Sequence, residues 1–331
     1  MALLTMNNFV VLAEMKLNKQ TNYKSMLDLI GNTPVVELRN TIVKSEVKIF
    51  AKLEGQNPTG SVKDRIALQM IEDAEEKQII SEETTILEPT SGNTGISLAF
   101  VAKIKGYKVT VVMPDNVSEE RTQLLKAYGA EIIYTDGKLG TNHSIEVAKD
   151  LAVKNSKYVM LYQYGNEGNP KAHYEGTGPE ILSQVPEVNV FIAGLGTGGT
   201  LMGVGKRLKE HNPETQIVAV VPDADDYIQG LRRIEDGFIP PILDLSLLNR
   251  RVMIKSKEAF KRTKELMNEE GIFAGISCGS VVGCAIKIAE KMEKGNIVCL
   301  LADGGWKYLS TGLWDKGQKE ISRNAKGKIW W

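Results

Sequence analysis

Residues 85–105 read TILEPTSGNTGISLAFVAKIK and contain the pattern that decides the fold. The apolar, β-rich run at 85–88 predicts a strand, and the apolar stretch at 94–105 predicts a helix. Between them lies EPTSGNTG (88–95), a loop of Gly, Ser and Thr residues. The same order of strand, loop and helix recurs along the chain, which is typical of parallel sheets covered by helices. The sequence therefore predicts an α/β protein.

Similar patterns cover most of the remaining chain. Further strands are predicted at 47–53, 107–113, 131–134, 158–161, 189–193, 216–221 and 296–301, and further helices at 62–78, 119–128, 142–154, 198–210 and 257–270. Helix punctuation agrees, because Gly129 and Gly271 stand at C′ positions and Ser118 and Ser256 at N-caps. A Gly/Asn-rich stretch at 163–170 is the expected junction between domains.

Composition restricts the class of protein. A chain of 331 residues is long enough for two domains of ~150 residues each. Its 41 basic and 41 acidic residues cancel, which argues against nucleic acid or a membrane as partner. No apolar run approaches the ~18 residues of a membrane span. The apolar stretch at 9–13 lacks the basic flank of a signal peptide.

The cysteines and histidines are few and scattered. Three of each occur, without metal-ligand spacing, so we expect reduced thiols in a cytoplasmic protein and no metal site. Cys278, Cys284 and Cys299 are expected to fill core positions.

Three loops share one design. EPTSGNTG, AGLGTGGT (193–200) and GISCGS (275–280) each lead from a strand into a helix. Such loops meet at the carboxyl edge of a parallel sheet, where ligands bind. The unsatisfied N–H groups of a helix N-terminus bind anions, and glycine lets the backbone approach them. One loop of this kind is often only a tight turn, but three together predict a site for an anionic ligand.

One of these loops also matches a dinucleotide fingerprint. Gly194, Gly196 and Gly199 fit G-x-G-x-x-G, and Asp223 follows the next strand, where a ribose-binding acid would stand. A nicotinamide-dependent oxidoreductase is therefore an alternative. The threonines that flank these glycines suit a terminal phosphate better than a bridging pyrophosphate.

A fourth segment, NPTGSVKDR (57–65), places Lys63 in the first turn of a predicted helix. The helix dipole disfavours a cation there and lowers the pKa of the amine. A neutral amine can condense with an aldehyde. The alternative is a solvated lysine whose charge is offset by Asp64.

NPTGSVKDR, EPTSGNTG and GTGGT, in this order, resemble the motifs of the fold-type II pyridoxal-phosphate enzymes, and specifically of the cysteine synthase/cystathionine β-synthase family. The resemblance covers most of the chain and implies a tryptophan synthase β-like fold, with two open, mostly parallel sheets wrapped by helices. It also implies an N-terminal arm at 1–24, a smaller α/β domain at 57–165, and a larger α/β domain made of 25–56 and 166–331.

The resemblance implies roles for individual residues. Lys63 forms the imine with pyridoxal 5′-phosphate and then acts as general base. The cofactor is further held by Asn93 at the ring hydroxyl, by Ser277 at the pyridine nitrogen, and at the phosphate by Gly196, Thr197, Gly198, Gly199 and Thr200. The substrate carboxylate is bound by Thr90, Ser91, Asn93, Thr94 and Gln163.

The implied reaction is a β-replacement on an O-activated serine. The leaving group departs to give an aminoacrylate, and a sulfur nucleophile then adds to give L-cysteine. The implied sulfur source is sulfide or a thiocarboxylated carrier protein, and the family is commonly a homodimer. O-Acetylserine sulfhydrylase and cystathionine β-synthase activity stay open as alternatives.

The segment YIQGLRRIEDGFIP (227–240) favours one serine derivative. Members that use O-acetylserine usually carry small neutral residues here, whereas this chain carries Arg232 and Arg233. It is thus similar to the O-phosphoserine-dependent branch. Because a guanidinium binds phosphate bidentately, we expect Arg232 to bind the phosphate and Arg233 to be a solvated neighbour.

The chain ends in Ile329, Trp330 and Trp331. A similar apolar C-terminus covers the active site in the O-phosphoserine branch. The alternative is a tail that packs its two aromatic residues on a nearby groove or on a partner subunit.

Overall fold

A computed structural model describes residues 22–40, 46–90, 92–185, 187–224 and 226–316. The first 21 residues of the predicted arm, the predicted substrate ligand Ser91 and the aromatic C-terminus lie outside the described residues. The expectations for them therefore stay predictions.

The strands carry most of the apolar runs in the sequence. They are β1 (Val35–Glu37), β2 (Val47–Leu53), β3 (Thr85–Pro89), β4 (Lys108–Pro114), β5 (Glu131–Thr135), β6 (Tyr158–Met160), β7 (Val190–Gly194), β8 (Gln216–Pro222), β9 (Arg250–Ile254) and β10 (Gly295–Leu301). They form a six-stranded sheet in the order β1-β2-β10-β7-β8-β9 and a four-stranded sheet in the order β5-β4-β3-β6. β1 runs antiparallel to β2, and the other neighbours are parallel.

The helices cover both faces of each sheet. They are α1 (Lys63–Glu76), α2 (Asn93–Lys105), α3 (Glu119–Tyr128), α4 (Gly140–Lys154), α5 (Gly168–Ala172), α6 (Gly178–Gln184), α7 (Gly199–His211), α8 (Ser256–Glu270) and α9 (Ile276–Ala289). A π-helical turn, His173–Thr177, joins α5 to α6. Among the described residues, no helix combines the length and the apolarity that a membrane span needs.

Separate apolar clusters hold the helices on the sheets. α8 and α9 pack on one face of the six-stranded sheet and α6 and α7 on the other. α1, α2 and α3 cover one face of the four-stranded sheet, and α4 covers the other. The three cysteines are buried as expected, and burial raises the pKa of each thiol. The predicted α/β fold with two mostly parallel sheets is confirmed.

Several elements differ from the sequence-based expectation. The edge strand β9 escapes pattern recognition because its residues alternate poorly, with Met253 62% exposed. The helix α9 opens within GISCGS as expected, although ISCGSVVGCAIKIA is rich in glycine and β-branched residues and burial compensates for its low propensity. The segment before it is not a strand, because Ala274 forms an isolated β-bridge with Gly304. Ser256 is not an N-cap, since Lys255 takes that position and the helix begins at Ser256. Ser118 is an N-cap residue, but its hydroxyl donates to the Lys307 carbonyl instead of capping the helix.

The stretch 163–170 connects β6 of the smaller sheet to the helices of the larger one. It is no exposed linker, because Gln163, Tyr164 and Asn169 are buried. The division into domains at 57–165 stays a prediction.

Candidate active site

Four helices, α1, α2, α7 and α9, begin at one cavity that receives the carboxyl ends of strands from both sheets. The described residues that were predicted for the site line this cavity and its adjoining branch, with one exception: Lys63, Thr90, Asn93, Thr94, Gln163, Gly196, Thr197, Gly198, Thr200, Arg232 and Ser277. The exception, Gly199, lies behind the cavity wall and donates its N–H to the Thr197 hydroxyl at 3.4 Å. The motifs that lie far apart in the sequence therefore meet at one place.

Lys63 is the first residue of α1 and is half-buried. Burial lowers the pKa of its amine, while the carboxylates of Asp303 and Glu54 act in the opposite direction. The pKa of Lys63 is thus lowered, as the sequence predicts, but the main cause is burial of the amine rather than the helix dipole. The segment before Lys63 is held at the end of β10, because the Val62 N–H donates to the Ala302 carbonyl at 2.8 Å. The backbone from which the Lys63 side chain extends is therefore held in place, and burial favours the neutral form of the amine.

The helix of Lys63 is also tied to the larger sheet. Arg65 donates from Nε to Glu54, which directly follows β2, and from Nη1 to Glu180 of α6, both at 2.7 Å. This buried guanidinium is thus shared by two carboxylates.

The loop 194–200 has the shape of an anion cradle. Gly198 has φ of +92°, a left-handed conformation that favours glycine. A Cβ added to Gly199 would collide with Oδ1 of Asn169. Asn169 in turn donates from Nδ2 to the Thr197 hydroxyl at 3.0 Å. The loop therefore lines the cavity through Gly196, Thr197, Gly198 and Thr200 at the start of α7, and a helix N-terminus is a favourable place for an anion.

A neutral histidine supports the far end of this cradle. His173 Nε2 lies 3.2 Å from Oγ1 of Thr200, and its Nδ1 lies 2.9 Å from Oγ1 of Thr177. Burial lowers the pKa of His173 well below its usual range, with help from the charges of Arg65 and Lys63. The imidazole is therefore uncharged at neutral pH and orients the Thr200 hydroxyl.

Glu88, at the end of β3, fixes the backbone next to the predicted carboxylate-binding residues. Its carboxyl group accepts the backbone N–H of Tyr162 at 2.8 Å and of Gln163 at 3.0 Å. Gln163 then accepts the Thr94 hydroxyl at 2.7 Å. Burial raises the pKa of Glu88 to about 8. These contacts place the side chains of Gln163 and Thr94 beside each other in the cavity wall.

Asn93 belongs to a buried polar network. Its Nδ2 donates to Oδ2 of Asp303 at 2.7 Å, and its Oδ1 accepts from Nζ of Lys307 at 2.9 Å. Tyr308 donates to the same carboxylate, while Oδ1 of Asp303 is buried without a hydrogen-bond partner. The amide of Asn93 is therefore held in one orientation.

Arg232 lines the cavity opposite this network and is 3% exposed. Its guanidinium lies 4.7 Å from the Phe238 ring centroid and 5.3 Å from that of Tyr164. Nη1 donates to Asn142 at 3.0 Å, whereas Nη2 is buried without a hydrogen-bond partner among the described residues. Arg233 is half-buried and donates to the carbonyl of Ala224. Arg232 is thus the arginine of this pair that lines the cavity, and its role in phosphate binding stays a prediction.

A wider groove of about 640 Å³ lies beside α8 and is lined mainly by lysines. Asp223 lies there, 3.7 Å from the Lys255 amine. The acid that the nicotinamide alternative requires is therefore not in the wall of the cavity that the glycine loop lines.

Comparison with known proteins decides the family. A model described as "Pyridoxal-phosphate dependent enzyme" matches residues 26–303. A cysteine synthase of Staphylococcus aureus is 44% identical over 300 residues, which span 88% of this chain and 96% of that protein. The chain belongs to the cysteine synthase family of pyridoxal-phosphate dependent enzymes.

Solved structures of this family have the same fold. A hydrogen sulfide-producing enzyme from Fusobacterium nucleatum is 43% identical, with a TM-score of 0.83 over 87% of this chain and all of that one. A cysteine synthase (OASS) from Entamoeba histolytica is 34% identical, with a TM-score of 0.83 over 93% of this chain and 96% of that one.

The residues of this pyridoxal-phosphate enzyme fit the cofactor. The glycine cradle of α7 supplies donors for a phosphate, and the amine of Lys63 has no hydrogen bond to any described residue. When bound, the cofactor withdraws electrons from the substrate amine and so acidifies the adjacent carbon. The chemical roles of the site residues stay predictions, although the geometry brings the residues together.

Sequence reasoning missed Arg121 and Tyr308, which line the cavity, and Lys307, which contacts Asn93. It placed Asp303 and Glu88 near the site but gave them no role. Asp303 and Glu88 follow or end strands, which is a positional signal for site residues. For Arg121 and Lys307 the sequence offers no such signal.

Proposed function

We propose that this enzyme is a cysteine synthase that replaces the activated oxygen of a serine derivative by sulfur and that prefers O-phosphoserine. The proposal rests on the family and on the charge of the cavity. Lys63, Arg121 and Arg232 line the wall, whereas Asp303 is the acidic residue among the described lining residues. This excess of positive charge suits a substrate that carries both a carboxylate and a phosphate.

The single observation that carries the preference is the state of Arg232. Its buried Nη2 lacks a partner, and no carboxylate of the described residues pairs with it. A phosphate accepts two hydrogen bonds from a guanidinium, whereas an acetyl ester offers one neutral carbonyl. A hydrogen bond to a charged group contributes about 1.5–3 kcal/mol, or roughly ten- to a hundredfold in discrimination.

The chain's own residues divide the remaining work. The amine of Lys63, whose pKa is lowered by burial, removes and returns the proton at the substrate α-carbon. Thr94 and Gln163 orient the substrate carboxylate, and the cradle at 196–200 holds the cofactor phosphate. Ser277, a neutral hydroxyl on α9, takes the position that a carboxylate would need in order to keep the cofactor ring protonated.

Parallel kinetics with O-phosphoserine and O-acetylserine test the preference. We expect Arg232→Met to lower kcat/KM for O-phosphoserine by about 10–100-fold and to leave O-acetylserine within about threefold. Arg233→Met removes the same charge one residue away and is the matched control. Equal losses with both substrates, or a wild-type preference for O-acetylserine, would reject O-phosphoserine as the donor.

The sulfur source and the assembly belong to the same proposal. We propose sulfide or a thiocarboxylated carrier protein as the nucleophile and a cytoplasmic homodimer as the working form. Assays with sulfide alone, with sedimentation analysis of the purified protein, test both. A monomer would contradict the homodimer, and failure to turn over with sulfide would exclude sulfide and leave the carrier protein as the sulfur source.

A further inference from the structure

Arg121 is the most unusual charged residue of the cavity wall. It lies in the first turn of α3, is 3% exposed, and lines the cavity beside Thr90, Asn93 and Thr94. Its Nε and Nη1 are both buried and have no hydrogen-bond partner in the part of the chain that the structure describes. No ion pair of Arg121 occurs among the described residues.

The contrast with Arg65 shows what is missing. Buried charges in proteins are paired, because removing an unpaired ion from water is costly. Arg65 follows this rule and is held by Glu54 and Glu180. Among the described residues, the contact recorded for the Arg121 guanidinium is the face of the Tyr308 ring, 5.1 Å from its central carbon, which is a weaker partner than a carboxylate. An anion in the cavity that Arg121 lines would supply the missing acceptors.

The position of Arg121 indicates which anion this is. Its side chain lies against Gly92, so that a Cβ added to Gly92 would collide with it. Gly92 is the centre of the loop 90–94, whose Thr90 hydroxyl already accepts the Gly92 N–H at 3.1 Å. Arg121 is not in the lining of the branch that holds most of the α7 cradle, and the Arg232 guanidinium lies against the rings of Tyr164 and Phe238 instead. Arg121 thus supplies positive charge at the loop 90–94.

We propose that Arg121 is the charged binding partner of the substrate α-carboxylate. This inference rests on the proposed function, in that the ligand is an amino acid whose carboxylate enters beside the loop 90–94. Hydroxyl and amide donors of the loop orient the carboxylate, and the Arg121 guanidinium neutralises it. The hydrogen bonds from Nε and Nη1 form when the ligand binds.

Two matched pairs of ligands test the proposal on the holoenzyme. L-Serine and ethanolamine differ only in the carboxylate, and so do O-phosphoserine and O-phosphoethanolamine. Dissociation constants are measured from the absorbance change of the bound cofactor. In the wild type we expect the carboxylate to tighten binding in both pairs. Arg121→Met should reduce this gain by about 10–100-fold and should leave O-phosphoethanolamine within about twofold.

Arg207→Met is the matched control, because Arg207 also stacks on a tyrosine, 5.4 Å from the Tyr174 ring, outside the cavity. Arg207→Met should keep the full gain in affinity that the carboxylate gives, and Arg121→Lys should keep part of that gain. Thermal unfolding without cofactor separates binding from structure. Because an unpaired buried charge is removed, Arg121→Met should be at least as stable as the wild type.

Three results would overturn the proposal. One is an unchanged carboxylate gain in Arg121→Met, and another is equal weakening of O-phosphoserine and O-phosphoethanolamine, which would assign Arg121 to the phosphate. The third is a wild type that does not distinguish L-serine from ethanolamine. The serine pair contains no phosphate, so rejection of the O-phosphoserine preference leaves this test intact.

Discussion

Lys307 donates from Nζ to the amide oxygen of Asn93 at 2.9 Å, and the amide nitrogen of Asn93 points to Asp303. The amide oxygen of Asn93 therefore faces a cation, and the amide nitrogen faces an anion. Lys307 is fully buried, and burial lowers its pKa to about 8. Burying a lysine in this way lowers the stability of the fold. The hydrogen bond from Lys307 to Asn93 indicates that this lysine positions the Asn93 amide.

Lys307→Met should remove the hydrogen bond that orients the Asn93 amide. A hydrogen bond from a charged donor contributes about 1.5–3 kcal/mol, so we expect the affinity for pyridoxal phosphate to fall about tenfold or more. Equilibrium dialysis of the cofactor measures this. Lys264→Met is the control, since Lys264 donates to a backbone carbonyl remote from the cavity. Unchanged affinity would show that Lys307 has no positioning role.

Thr197→Val should affect only ligands with a phosphate. The substitution removes the hydroxyl that accepts from Asn169 and Gly199 while the side-chain volume is kept. We expect binding of pyridoxal phosphate to weaken by a few-fold to about tenfold and binding of pyridoxal to stay unchanged. Thr215→Val removes a buried hydroxyl that donates to Val188 and serves as control. Equal weakening of both ligands would contradict a phosphate role.

Glu88 should make stability depend on pH. Burial raises its pKa from 4.5 to about 8, so the folded state holds this proton more tightly than the unfolded state. The stabilisation is complete below about pH 4.5 and is lost as the pH rises through 8, by up to about 1.4 kcal/mol per pH unit. Glu88→Gln has no ionisable group at this position, so this pH dependence of stability should be absent from the variant.

Urea unfolding of wild type and Glu88→Gln at pH 5, 6, 7 and 8 measures this contribution. We expect the free energy of unfolding of the wild type, relative to the variant, to fall as the pH rises. A difference independent of pH would show that Glu88 is ionised throughout.

Lys63→Ala should abolish covalent attachment of the cofactor. Borohydride treatment should bleach the yellow wild-type protein and add mass to the peptide that contains Lys63, but should not do so in the variant. Loss of a general base costs about 10²–10⁴-fold in turnover. Lys48→Ala, at an exposed position of β2, is the control. Attachment at another lysine would refute the assignment.

The sequence predicted those parts of the site that lie within short contiguous motifs. Asn93 and the cradle at 196–200 each follow a strand and open a helix, and Lys63 and Ser277 lie in the first turns of α1 and α9, so that local rules of parallel sheets place them near one edge. Eight of the ten described strands were found, because buried parallel strands are continuous apolar runs; the edge strands β1 and β9 were not.

Arg121 and Lys307 could not be found in this way. Arg121 stands among polar residues at EERTQ and resembles a surface position, and Lys307 stands at GWKYL outside any predicted strand or helix. Their importance follows from burial, and burial depends on which elements pack over them.

The ion pairs of Arg65 have a consequence for motion. Its helix packs on the smaller sheet, yet two residues after Lys63 the guanidinium is held by two carboxylates associated with the larger sheet. Lys63 therefore stands where the packing of the two sheets meets, and a shift of one sheet against the other would have to break these buried ion pairs. The position of the reactive amine is thus coupled to the contact between the two sheets.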